Sequence, residues 1–368
     1  MAILQKIIVS DFRNIKFAEL SFSSGLNCIC GDNGQGKTNL LDAIYYLSMT
    51  KSAFGTPDQF CRRHGCAGFS ISGTYLMEDG LSSKYVLNVQ DSGKLLKKDG
   101  KILSSMSLHI GRLPVVMVSP QDSALVSDGG ESRRRFMNAV LSQMDREYLA
   151  AMQKYNRLLV QRNRLLKEPE PDFQLMEALD MGMEQPAAYI SEKRAGFARN
   201  LSEAVRNYYM ELSGGRESVS VEYQGDMSAL GEGEGFMDML IQARNRDRLL
   251  KYTSVGVQRD DLVFLMDGHG IRKCGSQGQQ KSFLVALKLA QYDIMKEACG
   301  FAPILLLDDV FDKLDLSRIS RLIGLVSDNA YGQIFISDTN RSRLEEIIRN
   351  ISPDAKYFDA CDGEFQGS

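Results

Sequence analysis

The chain has 368 residues, with 44 lysines and arginines against 47 aspartates and glutamates and a formal net charge of -3. That length buries a large core and accommodates two domains, or one domain with an insertion; the near balance of charge excludes a uniformly basic protein that coats nucleic acid, while leaving room for a basic face. Seven cysteines without a C-x-x-C pair read as the reduced thiols of a cytoplasmic protein, and no signal peptide or membrane span is expected, since Met1 to Val9 is short, carries Lys6 and leads into a polar turn.

The first apolar stretches, around Val9 and from Leu26 to Ile29, are bounded by polar turns and predict buried strands. Cys28-Ile29-Cys30 then feeds Gly31-Asp32-Asn33-Gly34-Gln35-Gly36-Lys37-Thr38, a complete G-x-x-x-x-G-K-[ST] phosphate loop. Its glycines permit positive φ and close approach of the backbone to phosphate oxygens, so that successive N–H groups form an anion nest. Leu40, Leu41, Ile44 and Leu47 follow at helical spacing. The helix therefore starts near Lys37 and turns the positive end of its dipole toward the same anion. Lys37 is placed to reach the β- and γ-phosphates of ATP and Thr38 to bind Mg2+.

Residues 75–77, 85–89 and 115–118 predict strands separated by Glu78-Asp79-Gly80 and Asp91-Ser92-Gly93 turns. From Ser132 to Glu168 the pattern is long and helical, with Phe136, Val140, Leu141, Met144, Leu149, Met152, Leu158 and Leu159 as its apolar stripe, until Pro169-Glu170-Pro171 stops it. A second helical stretch runs from about Phe173 to Leu212 and stops at Gly214-Gly215; a third spans Gly235 to Lys251. The two long stretches predict antiparallel helices forming an arm. α/β alternation returns from Gly256. The expected division is thus 1–125, an N-terminal ATPase part; 126–255, a helical arm; and 256–368, a C-terminal ATPase part.

In that last part, Ser276-Gln277-Gly278-Gln279 precedes a helix carrying Phe283, Leu284, Leu287 and Leu289. Ile304-Leu305-Leu306-Leu307 is a continuous apolar run that reads as a parallel strand buried on both faces. Asp308 ends it, at the carboxyl edge where open α/β sheets bind ligands, and is placed to hold Mg2+; Asp309 follows as a candidate to orient or deprotonate the attacking water. A glycine-centred cap shortly before an acidic strand belongs to ATPases that hold ATP between two copies. The chain accordingly reads as an ATP-switched dimer, with Ser276 and the Gly278 backbone of one copy capping the γ-phosphate held by Lys37 and Thr38 of the other.

These motifs resemble the RecF family of bacterial recombination proteins, relatives of the SMC ATPases within the ABC superfamily. The resemblance runs along nearly the whole chain. It begins at Asp11-Phe12-Arg13-Asn14 and continues through Gly34 to Leu41, Ser119-Pro120-Gln121-Asp122 and Arg133-Arg134-Arg135-Phe136. It ends with Arg259-Asp260-Asp261-Leu262, Ser276 to Lys281, Leu307-Asp308-Asp309-Val310 and Leu314-Asp315. The resemblance implies an α/β ABC/SMC-type P-loop ATPase head with an inserted helical arm. Gln121 falls at the Q-loop position, where it would sense Mg2+ and couple the arm to the site; Asp315 would sit at the dimer seam. Arg13 and Asn14 are candidates for nucleotide contact, or a strand-end turn with a solvated arginine. Three departures bear on hydrolysis. Gln258 replaces a histidine, Asp338 stands where transport ATPases keep their switch histidine, and Asp309 is shorter than the glutamate common in this architecture, which implies slow turnover.

The resemblance further implies an ATP-dependent clamp at gapped or single-strand/double-strand DNA junctions, working with RecR and RecO partners to load RecA. For the DNA face, Arg133, Arg134 and Arg135 lead a series continuing through Arg146, Lys154, Arg157, Arg162, Arg164 and Lys167, with Arg62-Arg63-His64 and Arg244, Arg246 and Arg248 as further candidates. Clustered guanidinium groups suit phosphates, but Glu131, Asp145, Glu147 and Glu168 interrupt them, as on any solvated helix face. Other readings are a structural SMC-like clamp with incidental turnover, a transport-type ATPase subunit, and a P-loop kinase. The short arm argues against the first, the helical insertion and missing switch histidine against the second, and the Ser276–Gln279 cap against the third.

Overall fold

The computed structural model describes the chain except residues 1, 216, 230–234, 312–320, 322–323, 325–330, 349–351, 353 and 368. It divides into two compact units: one comprises 1–123, 211–215 and 277–368, the other 124–210 and 216–276.

The first unit contains two six-stranded sheets among its described residues. One is built from β1 (Ile3–Phe12), β2 (Ile15–Ser21), β4 (Gly68–Leu76), β5 (Ser82–Gln90), β6 (Gly93–Lys98) and β7 (Lys101–Ile102), all antiparallel, in the order β2-β1-β4-β5-β6-β7. The other has the order β15-β14-β3-β13-β12-β8. Here β3 (Leu26–Cys30), β8 (Val115–Val118), β12 (Ile304–Asp308), β13 (Ile334–Asp338) and β14 (Lys356–Cys361) run parallel, and β15 (Glu364–Gly367) turns back on β14. Every residue of β3, β8, β12 and β13 is buried, as the apolar run 304–307 predicts for a parallel strand covered on both faces.

Helix α1 (Lys37–Met49) packs against strands of both sheets. Its leucine spacing predicts one apolar face, yet all residues from Leu40 to Met49 are buried, because a helix between two sheets has no solvent side. The two sheets are also tied by Gln333. Its amide accepts from the Leu4 N–H at 2.8 Å and donates to the Leu4 carbonyl at 2.8 Å and the Ser23 carbonyl at 2.7 Å. Such a fully satisfied buried amide fixes one register of the chain. The short helices α2 (Asp58–Cys61) and α10 (Arg341–Ile348) and the 23-residue α9 (Gln277–Cys299) join α1 among the described residues of this unit. The seven cysteines are free thiols, and burial pushes the Cys30 thiol up to about 11.

The second unit holds α3 (Ala124–Ser127), α4 (Gly130–Met144), α5 (Arg146–Leu165), α6 (Phe173–Ser213, of which 211–213 lie in the first unit), α7 (Phe236–Leu250) and α8 (Ile271–Cys274). A sheet of order β11-β10-β9 joins them, from β9 (Val219–Gln224), β10 (Asp261–Met266) and β11 (His269–Gly270). Two expectations change here. The single helix expected from Ser132 to Glu168 breaks at Asp145, which is extended and accepts from the N–H groups of Glu147 and Tyr148 as the N-cap of α5; an N-cap satisfies donors that a helix start leaves open. The boundary expected at 256 falls at Gln277, because β10 pairs with β9 along six residues and packs on α4.

Helices α5 and α6 run antiparallel, with Arg162 bonded to Asp180 and Arg194 to Tyr148. Arg162 is wholly buried. Its Nε donates to Asp180 at 2.6 Å, and its Nη1 donates to Asp247 at 2.6 Å and to Thr253 at 2.9 Å. Arg194 is equally enclosed, donating to Asp260 at 2.6 Å, to Asn138 at 2.9 Å and to the Val257 carbonyl. No described helix is long and apolar enough to cross a membrane.

Candidate nucleotide site

The phosphate loop leaves β3 at Gly31 and enters α1 at Lys37. Two of its glycines are required by space. A Cβ on Gly31 would lie 2.4 Å from the Ala360 carbonyl oxygen, and one on Gly36, whose φ is 106°, would lie 2.9 Å from the Asn14 side chain. The loop is braced from outside itself. Asn39 donates to Asn14 at 2.7 Å, and the β14–β15 turn donates its Asp362 N–H to the Gln35 side chain at 2.6 Å and its Gly363 N–H to the Gln35 carbonyl at 3.0 Å. The hairpin brace is absent from the sequence reading, although Asp362-Gly363 is itself a turn signal.

Lys37 is only 4% exposed and folds back on the loop, its Nζ donating to the carbonyls of Gly31 at 2.7 Å and Asp32 at 2.9 Å. An ammonium that donates to two neutral carbonyls is poised to exchange them for anionic oxygens. Next to it the Thr38 hydroxyl lies 2.9 Å from both carboxylate oxygens of Asp308, 270 residues away in sequence. The loop and the acidic strand therefore meet as expected. Ser337, at the register partner of Asp308 on β13, donates to Asp308 at 2.7 Å and accepts from the Asp309 N–H at 3.0 Å. No local motif marks Ser337; only strand order brings it there. Burial raises the Asp308 carboxyl above the usual carboxylate range, and Asp309 adds to the rise, against the hydrogen bonds from Ser337 and Thr38 and the charge of Lys37. A buried carboxylate beside a hydroxyl and an ammonium, with no ion-pair contact among the described residues, fits a site for a divalent metal and a polyphosphate. Asp309 has a φ of 45° and is half-buried.

The remaining candidates are placed as follows. Gln121 is exposed on a short 3-10 turn, Pro120–Ser123, beyond the end of β8, the strand beside β12. The turn is held by Asp122, which accepts from the Ser119 N–H at 2.7 Å and pairs with Lys288 at 2.8 Å. Ser276 ends one stretch of the second unit, and Gln277, Gly278 and Gln279 open the 23-residue α9. Ser276 and Gln277 are exposed, so a long helix presents its N-terminus to solvent. Asp315 lies outside the described residues. Arg13 turns inward to Asp42 at 2.6 Å and Ser52 at 3.0 Å, while Asn14 braces the loop. Asp338 is buried and pairs with Arg343.

The arm arginines differ in their surroundings. Arg133 forms a two-pronged pair with Asp261 at 2.7 and 2.8 Å and donates to two carbonyls. Arg134 donates to the Asp260 carbonyl at 2.9 Å. Arg162 is the buried arginine described above. Arg133, Arg134 and Arg162 thus bond within the arm, the first two half-buried and the third buried. Arg135 stays exposed, paired with Glu131 one turn away, and Arg146, Lys154, Arg157, Arg164 and Lys167 are also exposed.

The sequence profile of the AAA domain matches residues 6–170. The chain is 42% identical over 363 residues to the DNA replication and repair protein RecF of Porphyromonas gingivalis, covering 98% of this chain and 99% of that protein. It is 38% identical over 359 residues to the protein of the same name from Flavobacterium johnsoniae, covering 96% and 99%. Among solved structures it is similar to the recombination mediator protein RecF with ATP, of the RecFOR pathway, at a TM-score of 0.88 and 28% identity over 100% of this chain and 98% of that one. An SMC head domain from Pyrococcus furiosus matches at a TM-score of 0.56 and 15% identity, over 100% and 96%, which is a likeness of fold.

Proposed function

Because this chain belongs to the RecF family of DNA replication and repair proteins, we propose that it is an ATP-switched recombination mediator: a clamp that two copies close on gapped DNA or single-strand/double-strand junctions when ATP is bound. The observation that carries this reading is the contact between Thr38 of the phosphate loop and Asp308 of the acidic strand, which makes one site of two distant segments.

ATP with Mg2+ would supply the anionic phosphates and the cation for which this site is built. Lys37 would exchange the Gly31 and Asp32 carbonyls for β- and γ-phosphate oxygens, and Thr38 and Asp308 would hold the metal, with Gln121 reaching in from its turn. The metal's charge offsets the cost of ionising buried Asp308. Asp309 would orient the attacking water and take its proton. Ser276 and the Gly278 N–H of a second copy would cap the terminal phosphate. Closure then follows from tighter binding of ATP to the closed dimer than to the open one, and loss of the terminal phosphate opens it. Hydrolysis in this reading is a slow timer stimulated by DNA. RecR and RecO partners and RecA loading come with the family.

The test is fluorescence anisotropy with a gapped duplex and an intact duplex of equal length, each with and without ATP, for the wild type and Lys37→Met. Tighter binding to the gapped duplex, dependent on ATP and absent in Lys37→Met, is expected. Equal binding to both duplexes would remove junction recognition from this chain; an unchanged response in Lys37→Met would remove the nucleotide site from the switch.

A further inference from the structure

We propose that Asp338 and Arg343 form a couple that makes the site selective for a triphosphate: Arg343 donates to the terminal phosphate, and Asp338 is the positioning residue that aims it. The proposal rests on the nucleotide reading above and adds a ligand contact to it.

Topology places the couple at the mouth of the site. Strand β13 lies between β3, which feeds the phosphate loop, and β12, which ends in Asp308. Asp338 is its last residue, paired with Cys30, and its carbonyl accepts the Gly31 N–H at 3.3 Å. The residue before it, Ser337, already touches Asp308. In an open α/β sheet, ligands bind at these carboxyl ends.

Charge is the second argument. Asp338 is 1% exposed, so a buried carboxylate stands beside a loop built to hold several negative charges. Left alone it would oppose the ligand. It is not alone: Arg343 Nη2 donates to its two oxygens at 2.8 and 2.6 Å, and the Asn340 N–H donates at 2.7 Å. The pair cancels its own charge and leaves a guanidinium on the site's edge.

The third argument is unused capacity. A guanidinium has five N–H donors in a rigid fork suited to phosphate, and Asp338 engages Nη2. The Nε of Arg343 is buried without an acceptor among the described residues, an arrangement that costs stability unless something fills it. The first turn of α10 fixes the residue, with the Arg343 N–H donating to the Asn340 side chain at 2.9 Å. Arg162 and Arg244 of the second unit also keep a buried donor without an acceptor among the described residues; what sets Arg343 apart is its bond to a carboxylate at the carboxyl edge of the sheet, beside the phosphate loop.

A contact to the terminal phosphate strengthens triphosphate binding and leaves diphosphate binding alone. The test is isothermal titration calorimetry on the full chain with Mg2+ and either AMP-PNP or ADP. Arg343→Ala should weaken AMP-PNP by about 10- to 100-fold, the range of a hydrogen bond to a charged group, with ADP affinity unchanged. Arg343→Lys should recover part of the loss, because charge remains without the fork. Asp338→Asn should lose selectivity partially, since the guanidinium is no longer aimed. Equal weakening of both nucleotides in Arg343→Ala would reassign the pair to a structural role, and unchanged AMP-PNP affinity in a folded Arg343→Ala or Arg343→Lys protein would overturn the contact. Failure of the wild type to bind either nucleotide would instead overturn the underlying site, separating the two readings.

Discussion

Arg162 offers a direct test of whether the arm's charges serve folding or DNA. It has no exposed surface, and two fully buried carboxylates depend on it. In Arg162→Met, among the described residues Asp180 keeps only Arg244 at 3.4 Å, and Asp247 keeps only the Ser254 N–H. Removing one member of a buried ionic group costs about 3–5 kcal/mol, because the remaining charge stays desolvated. For a unit of this size, with about 2–4 °C lost per kcal/mol, that amounts to a fall of roughly 6–20 °C. The chain has two units, so a single melting temperature is not a defined quantity. The assay is hydrogen exchange of peptides from α5, α6 and α7 against temperature, with exposed Arg164→Met as the control. Adding Asp180→Asn and Asp247→Asn to Arg162→Met should restore much of the loss, since it is the orphaned charges that cost. If Arg162→Met kept the arm's protection and weakened DNA binding, the assignment of Arg162 to the core would be refuted.

Ser276→Arg should retain ATP affinity while abolishing ATP-dependent dimerisation, read by light scattering; loss of ATP binding in the isolated copy would count against a cap acting on a partner. Asp309→Asn should bind ATP and remain dimeric with turnover reduced by about 100-fold or more, the scale of a lost general base, and ordinary turnover in a phosphate-release assay would remove Asp309 from that role. Asp308→Asn should stabilise the nucleotide-free protein while weakening Mg2+-dependent ATP binding. The folded-state pKa of Asp308 is raised by burial, so the unfolded chain releases this proton at lower pH than the folded one. Stability therefore falls as pH rises from the usual carboxylate range through the folded value. The advantage of the asparagine variant should be full above that window and vanish below it; denaturant melts that show the same difference at every pH would contradict this.

The parts of the site that lie contiguous in the chain were legible in it. Gly31 to Thr38 sit within one turn between strand and helix, so spacing alone states which atoms face an anion. The apolar run before Asp308 required a buried parallel strand, and its terminal carboxylate was the natural partner of Thr38. At Ser276 to Gln279 the helix start was legible for the same reason, because a helix N-terminus is a local feature. The helical stretches of the arm were likewise visible from periodicity, but not the break at Asp145, because an aspartate in a helical pattern is either a solvated side chain or a cap until its φ is known.

Tertiary structure decided which side chains are spent on the fold. Arg133, Arg134 and Arg162 share a charge pattern with exposed Arg157 and Arg164, and periodicity cannot separate them. Arg133 meets Asp261 at a separation of 128 residues and Arg162 meets Asp247 at 85, distances over which sequence carries no pairing information. Strand order is equally nonlocal. The insertion of β13 between β3 and β12 brings Ser337 onto Asp308 and Asp338 to the phosphate loop, and β10's pairing with β9 carries residues 256–276 into the second unit. Local chemistry thus names the groups able to bind phosphate and metal, whereas pairing between distant segments determines which carboxylates and guanidiniums remain available, since a buried charge must first be neutralised by whatever the fold places beside it.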